Sequence, residues 1–547
     1  MMMDATKNNV NVSNTRNRTR RRLRMVIPAF PAFNIYSQVA KKTTALGPVC
    51  VATAAREVPG WDVEVIDENN MRRYGPGSKS GSADHGFLQN ERAADVVGLY
   101  GGLTSTIPRL YEIAQFYKRR GAVTVAGGQH FTGKNIAEAL RSGVDYVVRG
   151  EGEKTIQEVL RTISGHGDMR AVPGIAYLEK GKVVCTADRE PLTEFEAFPM
   201  PDFSLLRYAK IKVYPIGRIR GCGMDCEFCT VKGKPRCASP ERLLESVRML
   251  VETRDARHFF IVDDLFGQQR QETLRFCGML RDYQRQIRRR LDFTAQIRLD
   301  KAKDTQLLKM MREAGINMVA IGFESPIDEE LEAMRKHITA QDMVRLSRIY
   351  HKFGFLVHGM FIFGYPLKDG REFSMSAKER IQRFRAFIKK AKIDSIQVLL
   401  PVPLPGTELR ERLQREGRVY PTHEIGWEYY DGNFPLFEPD EPLTAQEMQG
   451  SLRKIMGKFY QFKYMWKLGL TVFFFPMLVF FLHDIKTGWK KWYRPWRNNL
   501  LRFGGWVVLK GWIREFKKST FPQKLTRAQR QLKQASLQKN AHLHTPG

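Results

Sequence analysis

Hydrophobic and polar positions follow two different rhythms along the first third of the chain. Short apolar runs that suit buried strands are separated by stretches in which apolar residues recur every three or four positions, as in an amphipathic helix. Ile107, Leu110, Ile113, Phe116 and Tyr117 share one such helical face. Strands separated by helices predict βαβ units and a doubly wound, Rossmann-like parallel sheet over residues 25–165, with strands at 25–28, 63–67, 95–100, 123–126 and 146–149.

The same alternation resumes at residue 212 and continues to residue 401. Six strand–helix units predict a partial version of the parallel eightfold barrel, with strands at 213–219, 258–262, 292–297, 318–322, 357–363 and 395–400. Residues 166–211 are rich in Gly and Pro and are predicted to be a linker. Residues 402–460 are predicted to cap the barrel. The predicted fold class is therefore α/β, with a doubly wound domain followed by a (βα)6 barrel.

Glycines and polar residues cluster after the strands of the first predicted domain. Parallel sheets bind ligands at the carboxyl ends of their strands, and glycines there allow close approach of a ligand to the backbone. No G-x-G-x-x-G run follows the first strand, so a dinucleotide is not expected. The candidate ligand-binding residues are Thr104, Ser105, Gly127, Gly128, His130, Glu151 and Gly152.

Charged and polar residues also end the predicted barrel strands, where parallel barrels place their chemistry. Buried carboxylates and arginines are stable only where they meet partners. A ligand that carries both positive and negative groups could supply such partners. The residues concerned are Asp263 and Asp264 after the second strand, Gln296 and Arg298 after the third, and Glu324 and Ser325 after the fourth.

Three cysteines, Cys222, Cys226 and Cys229, stand in a C-x3-C-x2-C spacing after the first barrel strand. Three closely spaced thiolates suit a cubane iron–sulfur cluster, which normally takes four cysteine ligands. Three ligands would leave one iron open, as catalysis requires. The structural alternatives are buried thiols or a zinc site. A zinc site would need a fourth Cys or His at short spacing, and Cys237 is the only near candidate.

This spacing resembles that of the radical S-adenosylmethionine (SAM) superfamily, in which the open iron binds SAM and an electron cleaves it to a 5′-deoxyadenosyl radical. The resemblance implies that Cys222, Cys226 and Cys229 are the catalytic metal ligands and that Phe228, Gln296, Arg298, Glu324 and Ser325 bind SAM. Asp263 and Asp264 could serve the methionyl ammonium or could equally be satisfied within the barrel. For Lys336, a place on a helix surface and a functional role are equally open.

The upstream domain resembles the cobalamin-binding domain of many radical SAM enzymes, where motifs like Gly127-Gly128-Gln129-His130 and Gly150-Glu151-Gly152-Glu153 recur. The resemblance implies that the seven candidate residues after these strands line a cobalamin pocket. One departure is the missing D-x-H-x-x-G motif after the first strand. The resemblance therefore implies a cobalamin without a histidine ligand on its lower face.

Composition and charge narrow the class of protein and its expected cellular compartment. The 547 residues are 43% hydrophobic and 27% charged, as in a globular protein. The seven irregularly spaced cysteines predict no disulfide framework, and with no secretory signal they favour a reducing cytoplasm. Much of the net charge of +31 lies at the two ends. Residues 1–24, predicted to be a flexible basic arm, carry seven Lys and Arg, and residues 461–547 carry 17.

Residues 461–522 differ in composition from the rest of the chain. An uncharged run of fifteen residues, 468–482, is shorter than the ~20 residues of a spanning helix and contains Pro476. Six of the eight tryptophans lie in this region among Lys and Arg, which is typical of a membrane interface. The prediction is peripheral or re-entrant attachment to an anionic membrane surface. A helical cap on the barrel is the structural alternative, and residues 523–547 are predicted to be disordered.

The leading hypothesis is a cobalamin-dependent radical SAM enzyme that methylates an unactivated carbon of a membrane lipid, such as a hopanoid or another isoprenoid. The C-terminal segment would dock the barrel mouth at the bilayer. The alternatives are an oxidative cyclase or carbon–carbon coupling enzyme acting on a tetrapyrrole or lipid, an RNA-modifying enzyme, and a membrane-bound iron–sulfur or cobalamin carrier without catalysis.

The same hypothesis fixes the expected partners and location. The expected partners are a hydrophobic substrate, an anionic membrane surface, and a reductant such as flavodoxin or ferredoxin. Nucleic acid is not expected, because Cys50 is the only cysteine in a domain where RNA-modifying relatives carry a second cysteine triad. The expected location is the cytoplasm, with the protein attached peripherally to the inner face of the membrane.

Overall fold

The computed structural model describes residues 20–78, 82–368, 373–482 and 485–543. Most of the predicted basic arm (residues 1–19) and the last four residues of the predicted tail lie outside the described residues. Strands and helices are numbered below in chain order.

The N-terminal domain is built on an eight-stranded sheet of order β7-β6-β5-β4-β3-β1-β2-β8. Its inner five strands are parallel, and the chain reverses direction across the sheet between β1 and β3. All five predicted strands are present, within a few residues of their expected ends. The strands are β1 (Arg21–Ile27), β2 (Trp61–Asp67), β3 (Val96–Tyr100), β4 (Val123–Gly127), β5 (Tyr146–Val148), β6 (Ile175–Glu179), β7 (Lys182–Cys185) and β8 (Leu206–Arg207).

Helices cover this sheet and bury its apolar side chains. Val97, Leu99 and Ala126 of the strands pack with Leu110 and Ile113 of the helix predicted from its apolar stripe. The helices are α1 (Leu46–Arg56), α2 (Glu68–Tyr74), α3 (His85–Glu91), α4 (Ile107–Lys118), α5 (Lys134–Arg141) and α6 (Gly152–Ile163).

The segment predicted to be a linker, residues 166–211, instead extends the sheet. Strands β6 and β7 form an antiparallel hairpin on its edge, and β8 pairs with β2 on the other edge. Lys180 and Gly181 both adopt positive φ at the hairpin turn, which suits a two-residue connection. The Gly and Pro content that suggested a linker therefore marks tight turns between short strands.

The second domain is a six-stranded parallel barrel of order β16-β15-β14-β13-β12-β9. Each predicted strand is present, and a short antiparallel ribbon of β10 and β11 stands beside the first. The strands are β9 (Val213–Ile216), β10 (Ile219–Arg220), β11 (Arg236–Cys237), β12 (His258–Phe266), β13 (Asp292–Ile297), β14 (Ile316–Glu324), β15 (Leu356–Ile362) and β16 (Ser395–Leu399).

Helices surround this barrel on the outside. Phe323 and Phe361 stack at 5.5 Å between β14 and β15, and Phe387 of a surrounding helix packs against both. The helices are α7 (Pro240–Arg254), α8 (Arg270–Gln286), α9 (Thr305–Glu313), α10 (Asp328–Ala333), α11 (Ala340–Lys352), α12 (Ala377–Lys390), α13 (Glu408–Arg415), α14 (Thr422–Ile425) and α15 (Ala445–Phe459).

Three helices complete the chain: α16 (Lys463–Leu482), α17 (Ile485–Phe516) and α18 (Phe521–Leu543). Helix α18 contradicts the predicted disorder of residues 523–543. Its buried Phe521, Leu525 and Ala528 recur at helical spacing, a stripe that the polar composition conceals. Among the described residues, none of the helices combines the length and hydropathy needed to cross a bilayer.

Helix α17 runs along the barrel from one end of its strands to the other. Near its middle, Asn498 donates to Asp394, just before β16, and Arg502 donates to the carbonyl of Ile393. At its end, Phe516 stacks on Phe434, in the segment that follows β16. The hairpin formed by α16 and α17 thus contacts the barrel at the amino ends of its strands. This corrects the expectation of a segment at the barrel mouth for α16 and the first half of α17, whereas the end of α17 does reach the carboxyl side of the barrel.

Candidate active site

Beyond the carboxyl end of β9, the three cysteines lie on the loop between β10 and β11, residues 221–235, which is called the cysteine loop below. Cys226 is buried, and Cys222 and Cys229 are half-buried. Gly221 and Gly223 take positive φ around Cys222, and a Cβ at Gly221 would lie 2.7 Å from the carbonyl oxygen of Lys234. Only glycine fits this tight turn, so the sequence Gly221-Cys222-Gly223 shapes the loop that presents the thiols.

The three thiols lie within electrostatic reach of one another. Burial raises the pKa of both Cys222 and Cys229, and the charge of Cys226 raises each further. Among the described residues, no three His, Cys, Asp or Glu side chains are placed closely enough to hold a single metal ion. Cys237 faces different groups, since Arg218 and Asp263 are the charges that influence its pKa.

Asp263 and Asp264 hold the cysteine loop in place through backbone hydrogen bonds. Asp263 Oδ1 accepts from the amides of Arg218 (2.6 Å) and Ile219 (3.0 Å), and Asp264 Oδ2 accepts from the amide of Gly221 (2.7 Å). Burial raises the pKa of Asp263 to about 6. The structure thus places both carboxylates against the cysteine loop, and Asp264 also lines the cavity beside it. Binding of the methionyl ammonium by either of them stays a prediction.

Glu227 clamps the loop from its other side. Its carboxylate accepts two hydrogen bonds from Arg412 (2.7 and 3.1 Å) and one from the hydroxyl of Tyr365 (2.6 Å). The ring of Tyr365 lies edge-on to Phe228, 6.1 Å away. Sequence reasoning missed this clamp. The available signal was a carboxylate in the middle of the cysteine motif, which requires a partner when buried.

Lys336 points towards the cysteine loop and does not lie on an exposed helix surface. Its Nζ lies 2.9 Å from Glu324 Oε1 and 5.8 Å from the centre of the Phe228 ring. Burial would lower the pKa of Lys336, but Glu324 and the sulfurs of Cys226 and Cys229 raise it. The cationic head therefore joins Glu324, Phe228 and the three thiols into one site.

The other predicted SAM-binding residues separate into two groups. Arg298 follows β13 directly, and its Nη1 lies 2.8 Å from Met224 Sδ of the cysteine loop. Gln296 is half-buried near the end of β13. Ser325, in contrast, is fully buried and donates to Glu330, which pairs with Arg380. Ser325 therefore belongs to a buried ion pair behind the strand.

A cavity of about 960 Å³ separates the carboxyl edge of the N-terminal sheet from the cysteine loop. Ligand pockets commonly measure ~300–1,000 Å³, so this one suits a large cofactor. Gly127, Gly128, Glu151 and Gly152 line it from the N-terminal domain. A Cβ at Gly128 would lie 2.4 Å from the carbonyl carbon of Gly101, so two loops cross there at a distance that only glycine permits.

Ion pairs join the two domains at the rim of this cavity. Arg220 of β10 binds Glu151 (2.9 Å) and Glu153, and Arg236 of β11 binds Glu151 (2.8 Å). Thr230 also donates to Gln129. The Gly150–Glu153 motif thus ties the N-terminal domain to the ribbon that flanks the cysteine loop, a contact that sequence reasoning did not predict.

Thr104, Ser105 and His130 do not line the described cavity. They are buried on another side of the same loops, where His130 Nδ1 lies 3.4 Å from Thr104 Oγ1 and Ser105 accepts from Asn34. The His130 ring lies edge-on to Trp427 of the capping region at 4.7 Å. Burial, with Arg410 nearby, lowers its pKa to about 3. These three predicted pocket residues instead pack the domain against the capping region.

Comparison with known proteins decides the identity of the two domains. A family model described as B12 binding domain matches residues 35–160, and one for the Radical SAM superfamily matches residues 216–379. The chain is a radical SAM enzyme with a B12-binding domain. Its cofactors are a [4Fe–4S] cluster, SAM and cobalamin, and the alternative of a carrier without catalysis is set aside.

Curated relatives of this radical SAM enzyme are named for different reactions. An uncharacterised methyltransferase of Pyrococcus horikoshii is 28% identical, over 67% of this chain and 78% of the relative. The anaerobic magnesium-protoporphyrin IX monomethyl ester cyclase of Rubrivivax gelatinosus is 24% identical, over 66% and 65%. The hopanoid C-2 methylase of Rhodopseudomonas palustris is 29% identical, over 43% and 44%.

Two solved structures share the fold. The methyltransferase TsrM of Kitasatospora setae, with cobalamin and a [4Fe–4S] cluster bound, matches with a TM-score of 0.56 and 18% identity over 73% of this chain and 75% of that one. The cobalamin-dependent radical enzyme OxsB matches with a TM-score of 0.59 and 13% identity over 94% and 84%.

The site fits these cofactors. Three thiols on one glycine-shaped loop can ligate a cluster and leave one iron open. The cavity opposite has the size of a large ring cofactor and a glycine-lined wall on the side of the B12-binding domain. Cys222, Cys226 and Cys229 would hold the cluster, and Gly127, Gly128 and Gly152 would face cobalamin.

Proposed function

We propose that this enzyme transfers a methyl group to an unactivated carbon of an apolar lipid, with an isoprenoid of the hopanoid type as the leading substrate. The observation that carries the proposal is the shared cavity. Its walls come from the strand ends of the B12-binding domain and from the loop next to the cysteines. A substrate between the two would meet both cofactors without leaving the protein.

The residues around the cysteine loop have distinct tasks in this proposal. When bound, the cluster and SAM supply hydrogen abstraction, and cobalamin supplies the methyl group. Asp263, Asp264 and Glu227 fix the loop, so the thiols keep one geometry. Lys336 and Glu324 offer a cation and an anion 2.9 Å apart, which suit the carboxylate and ammonium of SAM. Arg298 and Gln296 would position the rest of that molecule.

The barrel interior favours an apolar substrate. Phe260 and Val262 of β12 line the shared cavity. On β15, Met360 and Ile362 are half-buried between fully buried neighbours, the alternation expected of side chains that face the inside of a barrel. Half-buried polar side chains share this interior, among them His358 on β15 and Gln296 on β13. The apolar positions beside them can bind hydrocarbon by burial. The similarity to a hopanoid methylase supports the same class.

The test is product analysis with the reconstituted enzyme. Anaerobic protein loaded with iron, sulfide and cobalamin would be incubated with SAM, a one-electron reductant and lipid extract from cells in which the gene is deleted. The expected product is a lipid heavier by one methylene unit, labelled when the SAM methyl group carries deuterium. Formation of 5′-deoxyadenosine without a methylated lipid from any extract would contradict the proposal.

An oxidative cyclase is the second candidate, because a cyclase acting on a magnesium porphyrin ester is similar over 66% of the chain. The same assay separates the two. A cyclase product loses hydrogen and takes no deuterium from SAM, whereas a methylated product gains the label.

The setting of the reaction is part of the proposal. Radical SAM chemistry needs one electron for each cleavage, which a flavodoxin or ferredoxin would supply. A lipid substrate favours an enzyme attached peripherally to the inner face of the membrane. Membrane fractionation of cells that express the full chain would test the attachment.

A further inference from the structure

A second cavity, of about 710 Å³, lies at the end of the barrel opposite to the cysteine loop. There, helices α11, α12 and α15 meet the part of the α16–α17 hairpin that contacts the barrel. Its lining includes one carboxylate, Asp394, which accepts from the amide of Val357 (2.8 Å) and from Asn498 (2.7 Å). It also includes six cationic side chains: Arg385, Lys389, Lys392, Lys458, Lys463 and Arg502.

Carboxylate partners for these six cations are absent among the described residues. Within the part of the chain that the structure describes, none of them forms an ion pair with a carboxylate. Arg502 donates to Tyr464 (3.2 Å) and to the carbonyl of Ile393 (3.2 Å), and its Nε is buried without a hydrogen-bond partner among the described residues. Cations gathered in one cavity repel each other and attract an anion.

An exposed apolar face adjoins this cationic pocket. Lys463 lines the pocket and begins α16. Further along the helix, Trp466, Leu470, Phe473 and Phe474 are at least 56% exposed, and Phe473 reaches 82%. Their spacing places them on one side of the helix. The other side packs against α17, where Trp492 donates to the carbonyl of Thr471. The pocket and the apolar face therefore form one continuous surface.

We propose that the cationic pocket binds the phosphate headgroup of an anionic glycerophospholipid while the exposed face of α16 lies in the apolar boundary of the same bilayer. A free phosphate would use the pocket but not the face, and a nucleic acid would leave the apolar face in water. A phospholipid satisfies both parts, because its phosphate and its acyl chains are covalently joined. The amino ends of the barrel strands would then lie nearest to the membrane.

Vesicle binding by the full-length protein tests the proposal. The pocket variant is Lys389→Gln/Lys392→Gln/Lys458→Gln. Its partition onto phosphatidylglycerol-containing vesicles is expected to fall on the order of 100-fold, since each lysine near an anionic surface contributes about fivefold. The matched control, Lys154→Gln/Lys182→Gln/Lys309→Gln, loses the same charge at exposed sites elsewhere. It is expected to stay within a few fold of the parent.

A second variant separates a lipid headgroup from free phosphate. Phe473→Ser/Phe474→Ser leaves the pocket intact and removes Phe473, the most exposed side chain of the apolar face, together with its neighbour. Its vesicle partition is expected to fall about tenfold or more, because the apolar face supplies much of the binding energy of an interfacial helix. Unchanged partition would mean that the pocket accepts phosphate alone, and the proposal would be wrong.

Other outcomes would also overturn it. If the pocket variant and the matched control lost vesicle binding equally, the effect would come from the net charge of the protein and not from the pocket. Tighter binding to RNA than to anionic vesicles, lost in the pocket variant, would assign the pocket to a polynucleotide. The pocket lies away from the cysteine loop, so reductive SAM cleavage in detergent should be unchanged in every variant. Failure of the lipid site and failure of the proposed methyl transfer are thus distinguishable.

Discussion

The seven cysteines differ in their surroundings, and this difference gives a matched pair of variants. Cys226 lies with Cys222 and Cys229 on the loop after β9, whereas Cys237 lies on β11 opposite Ile219. We expect Cys226→Ala to lose most of the iron bound after anaerobic reconstitution, because two thiolates cannot hold the cluster. Cys237→Ala should keep it. Iron and sulfide content with visible absorption measures both, and equal losses would show that Cys237 is a ligand.

Lys336 is predicted to affect SAM cleavage rather than cluster assembly. In Lys336→Met, Glu324 loses its partner at 2.9 Å, and the site loses the cation beside the thiols. We expect 5′-deoxyadenosine formation to fall at least about tenfold, the effect of losing ~1.4 kcal/mol of stabilisation, with unchanged iron content. Lys336→Arg keeps the charge and should recover part of the rate. Full activity in the Met variant would place Lys336 outside the mechanism.

Asp431 is predicted to make stability depend on pH. Its Oδ1 accepts from the amide of Asn433 (2.8 Å), while Oδ2 is buried without a partner among the described residues. Burial raises its pKa from 3.8 to about 7. The folded protein therefore keeps a proton that the unfolded chain releases between these two values. The stabilisation is fully present below about pH 4 and is lost as the pH rises through about 7.

Asp431→Asn resembles the protonated form at every pH and should not show this loss. Between pH 5 and 8, we expect the free energy of unfolding of the variant to gain about 2–3 kcal/mol over the parent, at ~1.4 kcal/mol for each pKa unit. Denaturant unfolding at the two pH values measures the change. A difference between variant and parent that stays constant with pH would contradict the assignment.

At the residue scale, the sequence could identify reactive groups but not their partners. The three cysteines were found because their spacing is local. Asp263 and Asp264 were found as strand-end carboxylates, yet their backbone acceptor role depends on where the cysteine loop folds back. His130 was found in a motif, but the ring that packs against it, Trp427, lies nearly 300 residues later in the chain. Contacts of that kind cannot be read from local pattern.

At the element scale, periodicity predicted the long buried strands and missed the short exposed ones. Strand β3 and residues 318–323 of β14 are continuous apolar runs because both faces of a parallel sheet are covered. Strands β6 and β7 are short and partly exposed, and their Gly-rich turn looked like a linker. Helix α18 was missed because its apolar stripe is sparse. The position of α16 could not be predicted from the sequence, since it depends on contacts with the amino ends of the barrel strands.

The edge strand β16 gives a prediction about an element. The hydroxyl of Tyr460 accepts from the amide of Ile396 (2.8 Å) and donates to its carbonyl (2.7 Å). It thus satisfies the outer backbone groups of the strand. Tyr460→Phe leaves both groups buried and unpaired, at a cost of about 1–3 kcal/mol. Thermal unfolding should show a lower midpoint. Tyr177→Phe, on the β6–β7 hairpin of the N-terminal domain, is the control, and its unfolding midpoint should change little.

At the scale of the whole molecule, the two domains meet around the cofactor cavity through charged groups. Glu151 binds Arg220 and Arg236, and Glu153 also binds Arg220. Both glutamates open α6 of the B12-binding domain, and both arginines flank the cysteine loop. In the arrangement that we propose for the cofactors, this contact helps to fix the distance between the cobalamin site and the cysteine loop. Sequence patterns predicted each domain separately but carried no signal for how they dock.

Glu151→Gln tests this contact. The change leaves two arginines at the cavity rim without their shared carboxylate, so the B12-binding domain should be held less firmly against the cysteine loop. We expect unchanged iron content, several-fold weaker cobalamin retention on gel filtration, and more 5′-deoxyadenosine per methylated product. The exposed Glu190→Gln is the control. If the ratio of the two products is the same in both variants, the ion pairs stabilise the interface without governing how the two cofactors cooperate.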